Sequence, residues 1–496
     1  MSAYRPKLRS YLRLEGGELI DGLLDRTMEI EGTAAALAAR LDGTCEWDAI
    51  RAGLLAEGHD AGEVDGALRV LMLLHYVEGA GDELAAKLEA IISHREEVPT
   101  VILEEARFEC QGSGSCCSAY AFGPLSAEDT AVLDRLDLAG ALSGVEPPYV
   151  VERDDGRYLR SVDGSCVFLS ADGKCGIHRA FGSEAKPHFC RLYPYDSFGT
   201  VEGVRVVDRG ACAKFAVSAR RGLPLYDDLA RVRPLAGAPV LHHPIVLVDD
   251  RAWDHGLFLR FTGVATELAR HGVGTVFDTL HAIGRWLDAM SVALGRCPLE
   301  PGQPDAMAST VLGMDAAFWF RPPRPEPAVR GLKKLTELIE EIAASVAAAI
   351  DEGRARASTP RFRDFRVAAD RVSAWLAAAD ARTVLAPTAA PGLAGDVDET
   401  LRISLRQQLF GRHVLAGQYA GAGLVRIGLI LLFSLAGARH DAGDRPIAAA
   451  ELSRGHMIAT RTFQTHALDE LLGDHDGAWR TLLDGIWVAA RLFARA

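Results

Sequence analysis

Cysteines supply the densest concentration of reactive side chains in this chain. Seven of the nine, Cys110, Cys116, Cys117, Cys166, Cys175, Cys190 and Cys212, fall within about a fifth of its 496 residues. Thiolates are soft ligands for zinc, copper(I) and iron-sulfur clusters, and closely spaced cysteines on a loop let one turn supply two of them. Gly112 and Gly114 permit the tight turns that would aim Cys110 and the Cys116-Cys117 pair at a common centre. Adjacent cysteines on an extended chain face opposite ways, so Cys117 is open to a second metal or to another edge of one cluster. These spacings lead us to expect that residues 110 to 212 fold around bound metal. Nine cysteines are too few for a secreted disulfide scaffold of this length, and in a reducing compartment such crowding points to metal. Cys45 and Cys297 stand alone in helical surroundings and read as small buried apolar residues.

His178 and His188 lie three residues after Cys175 and two before Cys190, close enough to ligate metal or to hydrogen-bond a sulfur. Arg191 is placed to offset thiolate charge or to form a surface ion pair. Other catalytic signatures are missing. There is no Gly-x-Ser-x-Gly, no His-Glu-x-x-His, no Gly-x-Gly-x-x-Gly after a strand and no Cys-x-x-x-Cys-x-x-Cys. Gly417, Gly421 and Gly423 sit in a helical pattern and read as close helix packing. Val246 to Asp250 reads as a strand ending in acid, a weak hint of a ribose-binding carboxylate.

The cysteine motifs resemble the YkgJ-type cysteine-cluster family of zinc- or iron-chelating proteins, which includes flagellin lysine N-methylases. The residues that carry the likeness are Phe108-Glu109-Cys110-Gln111-Gly112-Ser113-Gly114-Ser115-Cys116-Cys117, Gly164-Ser165-Cys166-Val167-Phe168-Leu169, Gly173-Lys174-Cys175-Gly176-Ile177-His178 and Lys186-Pro187-His188-Phe189-Cys190-Arg191-Leu192-Tyr193-Pro194. Cys212, in Asp208-Arg209-Gly210-Ala211-Cys212, matches a later cysteine of the methylase branch. Ser113 replaces the second cysteine of the family's opening motif, which removes one ligand or exchanges it for a hydroxyl, a water or a histidine. The resemblance implies a zinc ion or an iron centre such as a [4Fe-4S] cluster. Through the methylase branch it also implies a protein or peptide lysine substrate with S-adenosylmethionine as donor. Two alternatives stay open: a non-catalytic protein that chelates or delivers zinc or iron, and a helical interaction scaffold with structural zinc.

Length and periodicity set out the elements that must position these cysteines. A chain this long implies two to four domains, and we read three, at 1–96, 97–225 and 226–496. The expected fold is mainly α, with a small loop-rich α+β cysteine-cluster metal domain and a winged-helix-like N-terminal module. In residues 1–96 the pattern predicts a strand over Thr27 to Glu31 and helices over Thr33 to Leu41, Glu46 to Glu57 and Ala61 to Leu74. A short wing would start at Tyr76-Val77. This stretch loosely resembles PqqD-like leader-peptide-binding domains, through Leu14-Glu15-Gly16-Gly17 and Leu41-Asp42-Gly43-Thr44, and so implies a peptide partner at a sheet edge.

A winged helix-turn-helix is by default a DNA reader, but residues 1–96 hold ten Lys and Arg against eighteen Asp and Glu, a net of -8. The whole chain carries -13, so neither nucleic acid nor anionic membrane is an expected partner. From 226 onward amphipathic helices are predicted over Leu257 to Arg270, Val276 to Leu294, Leu332 to Ala349, Val367 to Ala379, Glu399 to Leu415 and Leu424 to Ala438. Pro-rich breaks fall at Pro322 to Pro327 and Ala386 to Gly395, and there is no internal repeat. Met1 to Leu24 lacks the apolar core of a secretory signal, and the apolar run Ile427 to Ala438 falls short of the roughly 20 residues that span a bilayer. The expected location is cytoplasmic.

Overall fold

The computed structural model describes residues 4–495 apart from 25, 80–81, 94–97, 119–121, 143, 229–231, 233–245, 250, 273, 297–302, 315–322, 352–359, 379–392 and 465. The chain is mainly α, as its periodicity predicts.

The N-terminal part opens with three strands, Leu12–Glu15, Glu18–Asp21 and Arg26–Glu29, paired antiparallel in that order. Gly16 and Gly17 both take positive φ, which is the two-residue turn geometry that matches strand twist. The helices Gly32–Ala38, Trp47–Ala56 and Ala61–Leu73 follow where predicted. Asp60 caps the third by accepting from Gly62 N at 2.7 Å and Glu63 N at 3.1 Å. Leu12, Leu19, Leu37, Ile50, Leu54, Val64 and Tyr76 form a core of their own, into which Tyr76 donates its hydroxyl to buried Asp21 at 2.9 Å. The expected wing takes another form. Val77 makes a single bridge to Leu8, so the sheet precedes the helices instead of following them. The next helix, Asp82–Ser93, turns Leu88 into the large C-terminal core.

Short pieces make up the cysteine-rich region. Tyr195–Thr200 and Gly203–Asp208 form an antiparallel pair, which Thr100–Val101 extends in parallel. Val150–Arg153 pairs with Gly156–Leu159, and Ser161–Val162 with Ser165–Cys166. Between them run the short helices Ala127–Asp134, Gly176–Phe181 and His188–Leu192.

Beyond these pieces the described residues are mainly helical, apart from the antiparallel pair Val246–Val248 and Arg251–Trp253, and their centre is Ala420–Ala442, 23 residues long. This helix is long and apolar enough to cross a membrane, yet 94% of its most apolar window is buried inside the protein. It packs against Ala449–Phe463 and Trp479–Arg495. Small residues set the approach: a methyl group on Gly455 would stand 2.6 Å from Ser434 O, and one on Gly423 would stand 1.3 Å from Val414 O. Gly421 and Gly423 therefore serve packing, as their helical context suggests, whereas Gly417, expected in the same helical stretch, precedes the helix at a φ of +55°. Around this centre lie His255–His271, Val276–Arg296, Pro325–Asp351, Pro360–Ala378 and Gly395–Phe410. The first four extend their predicted stretches at one or both ends, while the last starts four residues earlier than predicted and stops at Phe410, before Gly411, five residues short of the predicted Leu415. The predicted break at Pro322 to Pro327 is shorter than expected, because Pro325 already opens a helix, where its missing N–H costs nothing. Most of the break at Ala386 to Gly395 falls outside the described residues.

Candidate metal centre

Each cysteine is placed by its own local turn. Cys116 and Cys117 lie on a single 3-10 turn, Ser115–Ser118, with their sulfurs 3.9 Å apart. Cys166 ends a hairpin whose corner, Asp163-Gly164, takes positive φ at both residues, and this turns the buried Cys166 onto the Cys116-Cys117 turn. Cys175 bridges back to Leu169 across the Asp172-Gly173 turn and stands just before the helix Gly176–Phe181. Cys190 rides on His188–Leu192, whose start is held by His188 N donating to Asp129 Oδ1 at 2.7 Å. Cys212 is buried in the turn after Gly203–Asp208, where its sulfur accepts from Lys214 N at 3.4 Å.

These turns converge. Cys166 belongs to one apolar cluster with Phe122, Phe168 and Ile177, and Cys117 and Cys175 pack against it. Cys116, Cys166 and Cys175 all lie within electrostatic reach of Cys190. Cys212 instead feels Cys110 and Cys116, so Cys116 sits between two groups of sulfurs. Gly114 makes the approach of the first loop possible. Its φ is +67°, and a methyl group there would stand 2.4 Å from Gly173 O in the turn that leads to Cys175.

Charge around the sulfurs is uneven. The Cys117 thiol, hydrogen-bonded to Cys116, pulls Cys116 down to about 6 against the opposing effect of burial, with Lys186 and Arg461 adding positive charge. Cys117, the partner that keeps its proton, is pushed up. Burial lifts Cys166 to about 12 and Cys212 to about 11, and raises Cys190 as well. In the turn that leads to Cys212, Asp208 Oδ1 accepts from Gly210 N at 2.8 Å. Its Oδ2 is buried with no hydrogen-bond partner, and burial pushes the carboxyl up to about 7.

All seven candidate cysteines are free thiols. Cys110 is exposed, and among the described residues no three His, Cys, Asp or Glu side chains already form a metal cage. The donors nonetheless fit a soft metal in kind. Five of them, Cys116, Cys117, Cys166, Cys175 and Cys190, are gathered from three separate stretches of chain, and a buried acceptor without a partner lies in the turn that leads to Cys212.

Several expectations are resolved by position. Ser113 is hydrogen-bonded to Ser115 Oγ at 3.0 Å and exposed. His178 is exposed, and no hydrogen bond runs from the ring of His178 or His188 to a sulfur among the described residues. Arg191 takes the ion-pair role, 3.1 Å from Glu184. Cys45 is a correction: it is exposed in the bend before Trp47–Ala56, because Asp42 ties down Thr44 and turns the chain outward there. Cys297 lies outside the described residues. Asp249 binds Arg480 through both carboxylate oxygens and accepts from Ser291 Oγ at 3.2 Å, so it is engaged as an ion pair and not displayed for a ribose; Asp250 lies outside the described residues. An open groove lined by Val367, Arg371, Arg439, Arg454, Ile458 and Phe493 contains no cysteine.

Of the cations that face the sulfurs, Lys186 lies inside the Cys190 motif, whereas Arg461 carries no signal in the cysteine spacing. Arg461 lies 249 residues beyond Cys212 in sequence, and only packing brings it there. Compared with known proteins, the chain matches no family model, no curated protein and no solved structure.

Proposed function

We propose that this is a metal-binding cysteine-cluster protein, in which thiolates drawn from Cys110, Cys116, Cys117, Cys166, Cys175, Cys190 and Cys212 hold zinc or iron, the iron either as an ion or as a [4Fe-4S] cluster. The observation that carries this reading is the gathering of five cysteines outside any disulfide, from three separate stretches of chain, within electrostatic reach of one another. Cysteines kept only as small core residues have no reason to converge from three loops, whereas soft-metal ligands must. Because burial holds Cys166, Cys190 and Cys212 as neutral thiols, metal binding would displace their protons and draw the loops inward.

Metal content by mass spectrometry, with a visible spectrum of anaerobically purified protein, tests this, alongside the Cys116→Ser, Cys190→Ser double variant. Iron with acid-labile sulfide, lost in the variant, supports an iron-sulfur centre. Stoichiometric zinc lost in the variant supports a structural or chelating centre. Wild-type protein without metal overturns the proposal.

The motif likeness to lysine N-methylases extends the reading to a protein or peptide lysine substrate with S-adenosylmethionine as donor. One feature of the fold favours a peptide partner. Among the described residues, Leu12–Glu15 and Arg26–Glu29 each pair only with Glu18–Asp21, which leaves two outer strand edges beside the N-terminal helices for an added strand. Methyl transfer to a lysine-containing peptide, followed by mass spectrometry with and without residues 1–79, tests it. Transfer lost on removing the module supports the extension, and no transfer by the full chain refutes it.

A further inference from the structure

Arg461 belongs to the helix Ala449–Phe463 of the C-terminal body, yet its side chain points into the cysteine-rich region. It is only 7% exposed. Nε donates to Ala211 O at 3.2 Å, beside Cys212. One Nη donates to Ser115 O at 3.3 Å, beside Cys116, and to Tyr193 Oη at 3.2 Å, three residues after Cys190. Tyr193 in turn donates its hydroxyl to Ala211 O, closing the triangle. One planar guanidinium thus grips three cysteine-bearing loops that are far apart in sequence, with a fork geometry that an ammonium group cannot reproduce. It also faces Cys116 with positive charge.

The helix that presents it is fixed in place on both sides. Gly455 packs directly on the central helix Ala420–Ala442, and Ser453 Oγ accepts from Ala216 N at 2.9 Å, in the helix that follows Cys212. His456, one turn before Thr460, lies against the Phe215 ring with centroids 4.6 Å apart. The body therefore holds the arginine rigidly against the loops.

We propose that Arg461 is the positioning residue of the metal centre: the helical body, through this one side chain, holds the loops of Cys116, Cys190 and Cys212 in register and offsets the negative charge of the assembled thiolates. This rests on the metal-binding reading above. It makes the body part of the metal centre, although none of the predicted metal ligands lies in the body. Interactions of this kind, one step removed from the ligands, typically change metal affinity by about 10-fold to 100-fold.

The test uses the full chain, freed of metal and titrated with zinc(II) against a chromophoric chelator. Thermal unfolding is recorded with and without the ion for wild type, Arg461→Lys, Arg461→Gln and Ile339→Val. Ile339 is wholly buried in the body, so its variant reports a purely structural loss. Ligand binding raises the unfolding midpoint with the logarithm of free ligand over Kd, so at one fixed zinc concentration the zinc-induced rise separates the two roles. The expected result is a rise unchanged in Ile339→Val, reduced in Arg461→Lys and smallest in Arg461→Gln, with zinc affinity lowered about 10-fold to 100-fold in the last. A wild-type rise retained in full by Arg461→Gln overturns this inference and leaves the metal reading standing. Absence of any zinc binding by wild type overturns both.

Discussion

Replacing Gly114 with alanine isolates the contact that brings the first cysteine loop onto the second. The new methyl group would stand 2.4 Å from Gly173 O and 3.0 Å from both Gly173 C and Leu169 Cδ1, at a backbone φ of +67°. Two costs follow. A residue with a Cβ in the left-handed region costs about 1 kcal/mol. The carbonyl of Gly173 is backbone and cannot swing aside like a flexible side chain, so the loop must shift, at about 1–3 kcal/mol for an overpacked site. Gly112→Ala is the matched control, because its φ is +61° but a methyl group there meets nothing within 4 Å. It should therefore show the first cost alone.

The difference between the two variants, about 1–3 kcal/mol, converts to about a 5-fold to 150-fold weaker zinc(II) affinity if ligation needs the loops in contact. Urea unfolding of the metal-free proteins reads the first effect, and chelator competition reads the second. Equal behaviour of the two variants in both measurements would refute the claim that this close approach assembles the cluster.

Burial holds His255 and His456 at about 3 and His413 at about 4, against an ordinary 6.5. Each binds fewer protons folded than unfolded, so the stability it contributes at neutral pH is lost as pH falls from 6.5 toward 4. Asp208 and Asp476, raised by burial to about 7 and about 6, act in the opposite sense. Three histidines less two carboxyls leave about one proton, a loss of about 1.4 kcal/mol per pH unit over that range. His456→Gln should make urea-derived stability nearly flat there, and an unchanged slope would count against the assignment. Gly423→Ala puts a methyl group 1.3 Å from Val414 O, whereas Gly477→Ala meets nothing within 4 Å. The first should fail to give soluble folded protein, and the second should unfold within about 0.5 kcal/mol of wild type. Cys45, exposed at a bend, should be among the first thiols to react with a chromogenic disulfide. Cys45→Ser should leave zinc binding and stability unchanged, and a loss of bound metal would place this cysteine in the centre after all.

Local signals are legible over most stretches where the chain folds on its own neighbours. Helical periodicity locates the three N-terminal helices to within a few residues, and Gly112 and Gly114 mark the turn that places Cys116 and Cys117. The Leu12–Glu15 and Glu18–Asp21 hairpin was missed, although Gly16-Gly17 between alternating residues is a turn signal. The tail of that module reads in sequence as the start of a wing, whereas Val77 finds its partner, Leu8, 69 residues back in the chain. The central helix extends four residues beyond the predicted Leu424 to Ala438 at each end. Arg426 interrupts the apolar pattern, and it is tolerated because it is bonded to Asp469 and to the carbonyls of His413 and Leu415.

The sequence by itself determined which side chains offer soft donor atoms and the turn of the first cysteine loop, because donor identity and turn chemistry depend on a few adjacent residues. Tertiary structure alone decided which of those sulfurs meet and which cations face them. Cys110, with its place in the motif, remains at the surface, while Arg461, with no motif at all, is drawn among the cysteine loops by the packing of its helix on the body. Contacts between residues hundreds of positions apart are fixed by close packing of whole elements, and no local pattern encodes that sum.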